Sequence, residues 1–487
     1  MNYSALFLQL LPETVLLLTA LGLMGAAIAS ESRNGKALPN KVAMGVSALG
    51  ILVAAVLQTR VPDALASTTP LLAADGVTMI FKWVILGLGL LAVLLPPAKR
   101  EIPNPGEYYA MIQFSLIGLM LAVATNHLLM LFVALELASL TLYLLVGFPR
   151  TARTTEASLK YFLFGGVSAA FMLFGLSLIY GFCPSPYLPD VAAKLAESGL
   201  SPIGAAGIVM VLVGLGFKLA AAPFHFWAPD VYQGGPATSV GLVVAASKVA
   251  GMVVLVRFLV LGFGGTEGWT TGLSVVAAVS MVAGNLLALA QQSVRRLLAY
   301  SAVANTGYLL VGVCGNGALS SGTALFYVLV YGLGTFGAFA VTAGVERETG
   351  SDSVESFAGL VKRSPMLALA LLVCLASLAG IPPLAGFAGK FAMFSAALKE
   401  GMSGGSMPLA WLVGLAAVMS AISLYYYISV LKQAFVREPV SGSGCKLPVA
   451  HVLTVVVPAV ALVVLGLFPG LLMDPIADAV AGLLAMK

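Results

Sequence analysis

Glu136 in LFVALELASLTLYLL, Lys218 in GLGFKLAAAPFHFW, Lys248 in VAASKVAGM and Lys390 in AGFAGKFAMF each stand inside an otherwise apolar run. Where such runs lie in hydrocarbon, a charge at mid-depth costs about 2.5–3.5 kcal/mol on insertion scales, so each one needs a reason. Burial favours the neutral form of lysine and carboxyl alike, and a lysine poised between its two forms can be loaded with a proton and emptied again. Glu136 beside Lys218 would hold that lysine charged. Drawing the two apart would let the proton pass toward Lys248 and on to Lys390, so that charge separation works as a switch. The competing reading is structural: buried ion pairs, links between helices, or stems that snorkel to an interface. Polar residues that could orient water between the stations are His225, Thr238, Ser247, Asn285, Asn305 and Tyr308. For His225, just past Pro223, a hydrogen bond to freed backbone carbonyls accounts for the residue equally well. For Lys82, in MIFKWV at the start of its run, interfacial snorkelling beside Trp83 accounts for the residue at least as well as a function does, and Glu13 takes the same reading.

Those stations need long elements to carry them. The chain of 487 residues is 60% hydrophobic and 9% charged, with a mean hydropathy of +1.01. That composition excludes an ordinary water-soluble domain, and the long unbroken apolar runs exclude a closed β-barrel, whose strands would alternate. Spans of roughly 20 apolar residues each suit helices through a bilayer. The runs centre near Leu17, Leu49, Leu88, Leu119, Leu137, Leu173, Leu212, Val249, Ala277, Val303, Leu329, Ala379, Ala416 and Leu462, predicting an all-α polytopic membrane protein of about fourteen helices. The first run has no basic residue before it and is read as a retained span rather than a cleaved signal. Connections are short, Cys183 to Ser201 being among the longest, so the chemistry must sit in or beside the membrane. The net charge of +5 is scattered through loops, with no basic patch for nucleic acid. Cys183, Cys314, Cys374 and Cys445, and His127, His225 and His451, are too widely spaced for a zinc or iron–sulfur motif.

Lysine and arginine bias sets an expected orientation. Arg33, Lys36, Lys41, Lys99, Arg100, Arg150, Arg153 and Lys160 fall in or beside alternate loops, and the same side collects Arg295, Arg296, Arg347, Lys362, Arg363, Lys432, Arg437 and Lys446. The opposite side holds Arg60, Lys194, Arg257, Lys399 and Lys487, which puts both termini outside. Pro223 interrupts the run Gly214 to Trp227, and Pro382 with Pro383 interrupts Ser377 to Phe391, so both are expected to be broken helices. Paired breaks point to an inverted repeat with an ion path where freed backbone meets water; two ordinary proline kinks are the alternative. Lys218 precedes its proline and Lys390 follows its pair, so sequence offset does not make them symmetry mates. Gly332, Gly334 and Gly337 match a dinucleotide fingerprint in spelling, but no strand precedes them, and close helix packing is expected instead.

The stretches LELASLTLYLLVGFPRTARTTEASLKYFLFG, GFKLAAAPFHFWAPDVYQG, SVRRLLAYSAVANTGYLLVG and SLAGIPPLAGFAGKF make the chain similar, along nearly its whole length, to the antiporter-like membrane subunits of respiratory complex I. Among these it most resembles the N subunits of bacterial NADH-quinone oxidoreductase. The resemblance implies fourteen helices with two inverted five-helix repeats and broken helices 7 and 12. The expected division is 1–105 for helices 1–3, 106–265 for the first repeat, 266–435 for the second and 436–487 for the last helix. It implies proton pumping driven by distant electron transfer from NADH to quinone, as part of a translocase, through Glu136, Lys218, Lys248 and Lys390. Glu156 and Lys160 resemble further charged positions at the start of helix 6, and His225, Asn305 and Tyr308 are secondary candidates. NADH, FMN, iron–sulfur clusters and quinone are expected in other subunits, with none bound by this chain. Implied partners are the neighbouring subunit M, the small subunits K, J and A, and the lipid of a bacterial inner membrane. Lysine at 248 and at 390 favours N over the sister subunits L and M, as does the lack of L's lateral helix. Asn305 stands where many relatives have histidine and cannot itself take a full proton, leaving passage through water; GGPATS replaces the commoner GAPTP. A subunit of an Mrp-type cation/proton antiporter is the alternative, and a scaffold with merely paired charges a third reading.

Overall fold

The computed structural model describes residues 3–61, 71–96, 102–264, 268–403, 408–439 and 447–485. Lys99, Arg100, Cys445, Lys446 and Lys487 lie outside the described residues. The long helices are α1 (Leu11–Asn34), α2 (Asn40–Gln58), α3 (Gly76–Leu94), α4 (Pro105–Val123), α5 (Leu128–Gly147), α6 (Ala152–Phe182), α7 (Pro202–Leu219), α8 (Ala237–Gly262), α9 (Gly268–Leu289), α10 (Val294–Cys314) and α11 (Ala318–Thr349), followed by α12 in two pieces (Pro365–Ala379 and Ala385–Ser403), α13 (Pro408–Val436) and α14 (Val449–Leu467). Every predicted run centre falls on one of these. Thirteen described helices are long and apolar enough to cross a membrane, and the remaining run, centred on Ala379, is the divided α12.

Hydrocarbon offers no partner for backbone groups, and at four helix starts a side chain satisfies one of the first free N–H groups. Asp75 accepts from the Thr78 amide at 2.8 Å to start α3, His127 Nδ1 from Met130 at 3.3 Å to start α5, Thr151 from Thr154 at 3.2 Å to start α6 and Ser293 from Arg296 at 3.2 Å to start α10. Short helices not foreseen from hydropathy include Leu188–Ser198, Trp227–Gly234 and Gly470–Ala485. Leu188–Ser198 buries Leu188, Val191 and Leu195, one face of an amphipathic turn too short to register as a span. Gly470–Ala485 adds a helix beyond the single last span expected for 436–487.

The chain forms two compact units, Met1–Phe217 with Gly234–Thr266 and Gly482–Lys487, and Lys218–Gln233 with Glu267–Ala481. The end of α7 and the stretch after it thus belong to the second unit. In the first unit Gly118 of α4 meets α5 so closely that a β-carbon there would lie 2.6 Å from the Ala138 amide nitrogen and 2.8 Å from the Ala134 oxygen. In the second unit Gly284 of α9 meets Ala304 and Tyr300 of α10 in the same manner. The same sequence interval separates Gly118 from Gly284 and Ala138 from Ala304. It also separates His127 from Ser293 and Tyr187 from Ser353, which form isolated antiparallel bridges His127–Tyr187 and Ser293–Ser353. Gly334 and Gly337 pack against Cys374 and Leu378 of the first piece of α12, the helix-packing role expected of that glycine run.

Candidate functional site

Both breaks are built alike. The α7 helix ends at Leu219 and the first piece of α12 at Ala379; the next residues, Ala220 and Gly380, are left-handed at φ 56° and 85°. In each a proline follows three residues on, Pro223 and Pro383, each after a cis peptide bond. The freed backbone is satisfied by hydroxyls: Thr306 donates to the Leu219 oxygen at 2.6 Å, the Ala222 amide donates to Ser280 Oγ at 2.9 Å, and the Gly386 amide to Ser377 Oγ at 3.0 Å.

Lys218 is buried in the last turn of α7, where the helix dipole favours a cation. Lys390 is buried in the piece after its break, yet its Nζ donates back to the Leu378 oxygen at 2.9 Å and lies 3.5 Å from the Ala379 oxygen. In the register fixed by the left-handed residue, Leu378 occupies the place of Lys218, and Lys390 that of Asp230, which pairs with Arg296 at 2.8 Å. The two lysines are therefore not symmetry mates along the chain: Lys218 stands in the last turn before its break, whereas Lys390 follows its break and reaches back to the end of the half-helix before it. Lys390 is completed by Ser420 Oγ at 3.0 Å and by the face of Tyr308, 4.8 Å from the ring centre; among the described residues no carboxylate pairs with it.

Around Lys390 the second unit holds a hydrogen-bonded chain of neutral groups. Asn285 Nδ2 donates to the Tyr308 hydroxyl at 3.0 Å, and the Tyr426 hydroxyl donates to Asn285 Oδ1 at 3.1 Å. The rings of Tyr426 and Tyr427 meet at 4.5 Å, and the Tyr427 hydroxyl is hydrogen-bonded to Ser301. Asn305 donates to Ser301 Oγ at 3.3 Å and accepts from the Tyr327 hydroxyl at 2.6 Å. Asn285, Asn305 and Tyr308 from the sequence reading thus converge, while Ser301, Tyr327, Ser420, Tyr426 and Tyr427 were missed. The Ser301/Asn305 spacing of one helical turn and the LYYYI stretch were the available signals.

In the first unit Lys248 is 2% exposed and follows directly on a π-helical turn, Val243–Ser247, a local irregularity that recurs at functional sites. Ser247 in that turn is also buried. Nearby on α8, Thr238 donates to the Leu95 oxygen at 2.8 Å, and Ser239 joins the Tyr108 hydroxyl at 2.7 Å. Glu136 is half-buried on α5, two turns before Tyr143, whose ring meets Tyr161 at 4.6 Å; Tyr161 in turn meets Phe217 at 5.9 Å. Glu156 and Lys160 pair at 2.6 Å near the start of α6, exposed by 66% and 38%, and so form a surface pair. His225 is buried in the second unit, stacked on Phe226 at 4.6 Å, and its Nδ1 has no hydrogen-bond partner among the described residues.

The structure corrects the reading of several charges. Lys82 and Glu13 do not snorkel: they pair at 2.6 Å with side chains 4% and 5% exposed, because the N-terminal segment brings Glu13 and the Gln9 carbonyl over Lys82. Arg257, read from the sequence only as a charge of the less basic side, has a carboxylate partner in the structure. It is buried near the end of α8, bidentate to Asp75 at 2.7 and 2.8 Å, with Asn126 at 2.8 Å and Thr78 at 2.9 Å. Burial alone would raise Asp75, but the Arg257 guanidinium and the Thr78 bonds outweigh it and hold the carboxyl below its ordinary range. Arg363 likewise pairs with Glu348 at 3.1 Å, both buried. No group of histidine, cysteine and carboxylates that could hold a metal ion occurs among the described residues.

Long apolar helices, two of them broken, with cations at the broken ends and polar chains inside the apolar layer, define a polytopic helical membrane protein of the ion-translocating class. Residues 125–423 match the family described as NADH:quinone oxidoreductase/Mrp antiporter, transmembrane. The chain is 41% identical to NADH-quinone oxidoreductase subunit N 2 of Acidobacterium capsulatum, over 97% of this chain and 98% of that one. A chain of respiratory complex I from Thermus thermophilus with bound aureothin superposes with a TM-score of 0.80 at 35% identity, covering 95% and 98% of the two chains. A chain of the Mrp complex from Dietzia sp. shares the fold, with a TM-score of 0.85 at 22% identity over 100% and 98%. The chain belongs to the NADH:quinone oxidoreductase/Mrp antiporter membrane family and, within it, to the subunit N group.

Proposed function

We propose that this chain is the proton-translocating membrane subunit N of an NADH:quinone oxidoreductase, conducting protons through Glu136, Lys218, Lys248 and Lys390 while redox chemistry proceeds in other subunits. The observation that carries the reading is Lys390, a buried cation held at a helix break by carbonyls, a hydroxyl and a ring rather than by a carboxylate. An ammonium caged by dipoles can lose its proton without stranding a buried counter-charge, as relay chemistry requires. Asn285, Tyr308, Ser301 and Asn305 supply donors and acceptors that orient water along the way, with Asn305 passing rather than holding a proton. Glu156, Lys160 and His225 are secondary members. The equal interval between the Gly118 and Gly284 contacts, and between the two bridges, supports paired repeats at 106–265 and 266–435, of inverted topology. On this reading the chain lies in a bacterial inner membrane with both termini periplasmic and neighbours subunit M and subunits K, J and A. It acts as part of a translocase, with NADH, FMN, clusters and quinone bound elsewhere.

The identities of 41% and 35% to complex I chains favour this over an Mrp-type antiporter, to which the 22% likeness is one of fold. Co-purification with redox subunits discriminates between the two. The functional test is proton pumping per NADH oxidised in the reconstituted complex, native against Lys218→Ala at equal assembly. Loss of pumping at retained NADH oxidation is expected; an unchanged ratio would reduce the lysines to structural ions.

A further inference from the structure

A groove of about 410 Å³ opens in the first unit where α5 ends and α6 begins. It is lined by Met111, Leu144, Phe148, Arg150, Thr155 and Ser158 among others. Leu144 lies in the last turn of α5, Met111 in the second turn of α4, and Thr155 and Ser158 in the first two turns of α6. The lining thus gathers at the ends of three spans, at the level where hydrocarbon gives way to lipid headgroups.

The walls are fixed. Phe148 stands edge-on to Tyr108 at 5.2 Å, Ser158 donates to the Tyr143 oxygen at 2.8 Å, and the Thr155 amide donates to the Thr151 oxygen at 2.8 Å. The floor is apolar. The one full charge among the named lining residues is Arg150, exposed and set on a left-handed backbone at φ 56°, whose guanidinium makes no ion pair or hydrogen bond among the described residues. A cation beside an apolar slot, between membrane helices at headgroup level, matches a lipid with a negative head and a hydrocarbon tail.

We propose that this groove binds an anionic phospholipid, its phosphate on Arg150 and the Thr155 hydroxyl and the first part of an acyl chain along Met111, Leu144 and Phe148. Thr155 and Ser158 neighbour Glu156 and Lys160 along α6, but lipid binding in the groove does not depend on conduction through that pair.

The test uses the purified whole complex in nanodiscs containing phosphatidylglycerol with a diazirine in one acyl chain, with adducts mapped by mass spectrometry after irradiation. Adducts are expected at Met111 and within 144–158. Arg150→Gln should lower their yield at least fivefold and Arg150→Lys should keep at least half. Phosphatidylcholine with the same diazirine should label at least fivefold less. Should Arg150→Gln fail to assemble, Leu144→Trp fills the slot, leaves the arginine and should lower the yield to the same degree. Equal labelling by both lipids, or a yield indifferent to these changes, overturns the proposal in favour of bulk lipid. A photo-crosslinker placed at Phe148 that captures a neighbouring subunit overturns it in favour of a protein seat.

Discussion

Arg257 in the first unit and Lys390 in the second are 1% and 5% exposed, yet they are held in opposite ways. Arg257 faces a carboxylate, Asp75, through two bonds of 2.7 and 2.8 Å, and that carboxylate is itself tied to the Thr78 amide. Lys390 faces helix-end carbonyls, the Ser420 hydroxyl and the Tyr308 ring. A bidentate pair fixes both charges, since neutralising either leaves the other buried and alone. A cage of dipoles stabilises the ammonium and still hydrogen-bonds the amine. Burial by itself therefore does not mark a proton-exchanging group; the nature of the partner does.

The largest effect should come from breaking the fixed pair. Asp75→Asn is expected to lower stability by about 3–5 kcal/mol, read from the thermal unfolding of the purified complex, and Asp75→Leu with Arg257→Met to recover most of it. A native-like Asp75→Asn would show that Arg257 is not held by its counter-charge. The pair should also leave a mark in acid. Asp75 titrates in the folded state below its unfolded value of about 3.9, so its stabilisation is present above that pH and is lost as pH falls through the folded value. The stability gap between native and Asp75→Asn should narrow below about pH 4; a gap constant through that range would contradict the assignment.

A smaller effect distinguishes the two breaks. Gly380→Ala forces a β-carbon into a left-handed position, about 1–2 kcal/mol, and places it 3.3 Å from Lys390 Cδ. Ala220→Gly relieves the same conformation and should raise stability by up to about 1 kcal/mol, so thermal shifts of opposite sign are expected. A stability change of similar size belongs to Lys390→Met, which keeps the bulk and removes the charge. Less than about 1.5 kcal/mol is expected, with pumping per NADH nonetheless lost. A destabilisation as large as that of Asp75→Asn would place Lys390 with Arg257 as a fixed ion.

Much was legible in the chain itself. Runs of apolar residues specify membrane helices because hydrocarbon length and backbone pairing leave few alternatives, and Pro223 and Pro383 mark the breaks because proline removes a backbone donor and crowds the preceding turn. Glu136, Lys218, Lys248 and Lys390 stand out because a charge in an apolar run is costly wherever the run ends up. Partnership was not legible. Asp75 and Arg257, Glu13 and Lys82, and Tyr426 and Asn285 meet across long stretches of sequence, and no local pattern announces which buried charge finds a carboxylate and which finds a carbonyl. Lys390 reaching back to the place that Lys218 occupies in the other break depends on the turn geometry at Gly380. Composition and periodicity determine that helices span a membrane and carry buried charge, because solvation acts residue by residue. Which of those charges are locked and which are free to exchange a proton is decided by tertiary packing, because an ion's counter-charge is a neighbour in space.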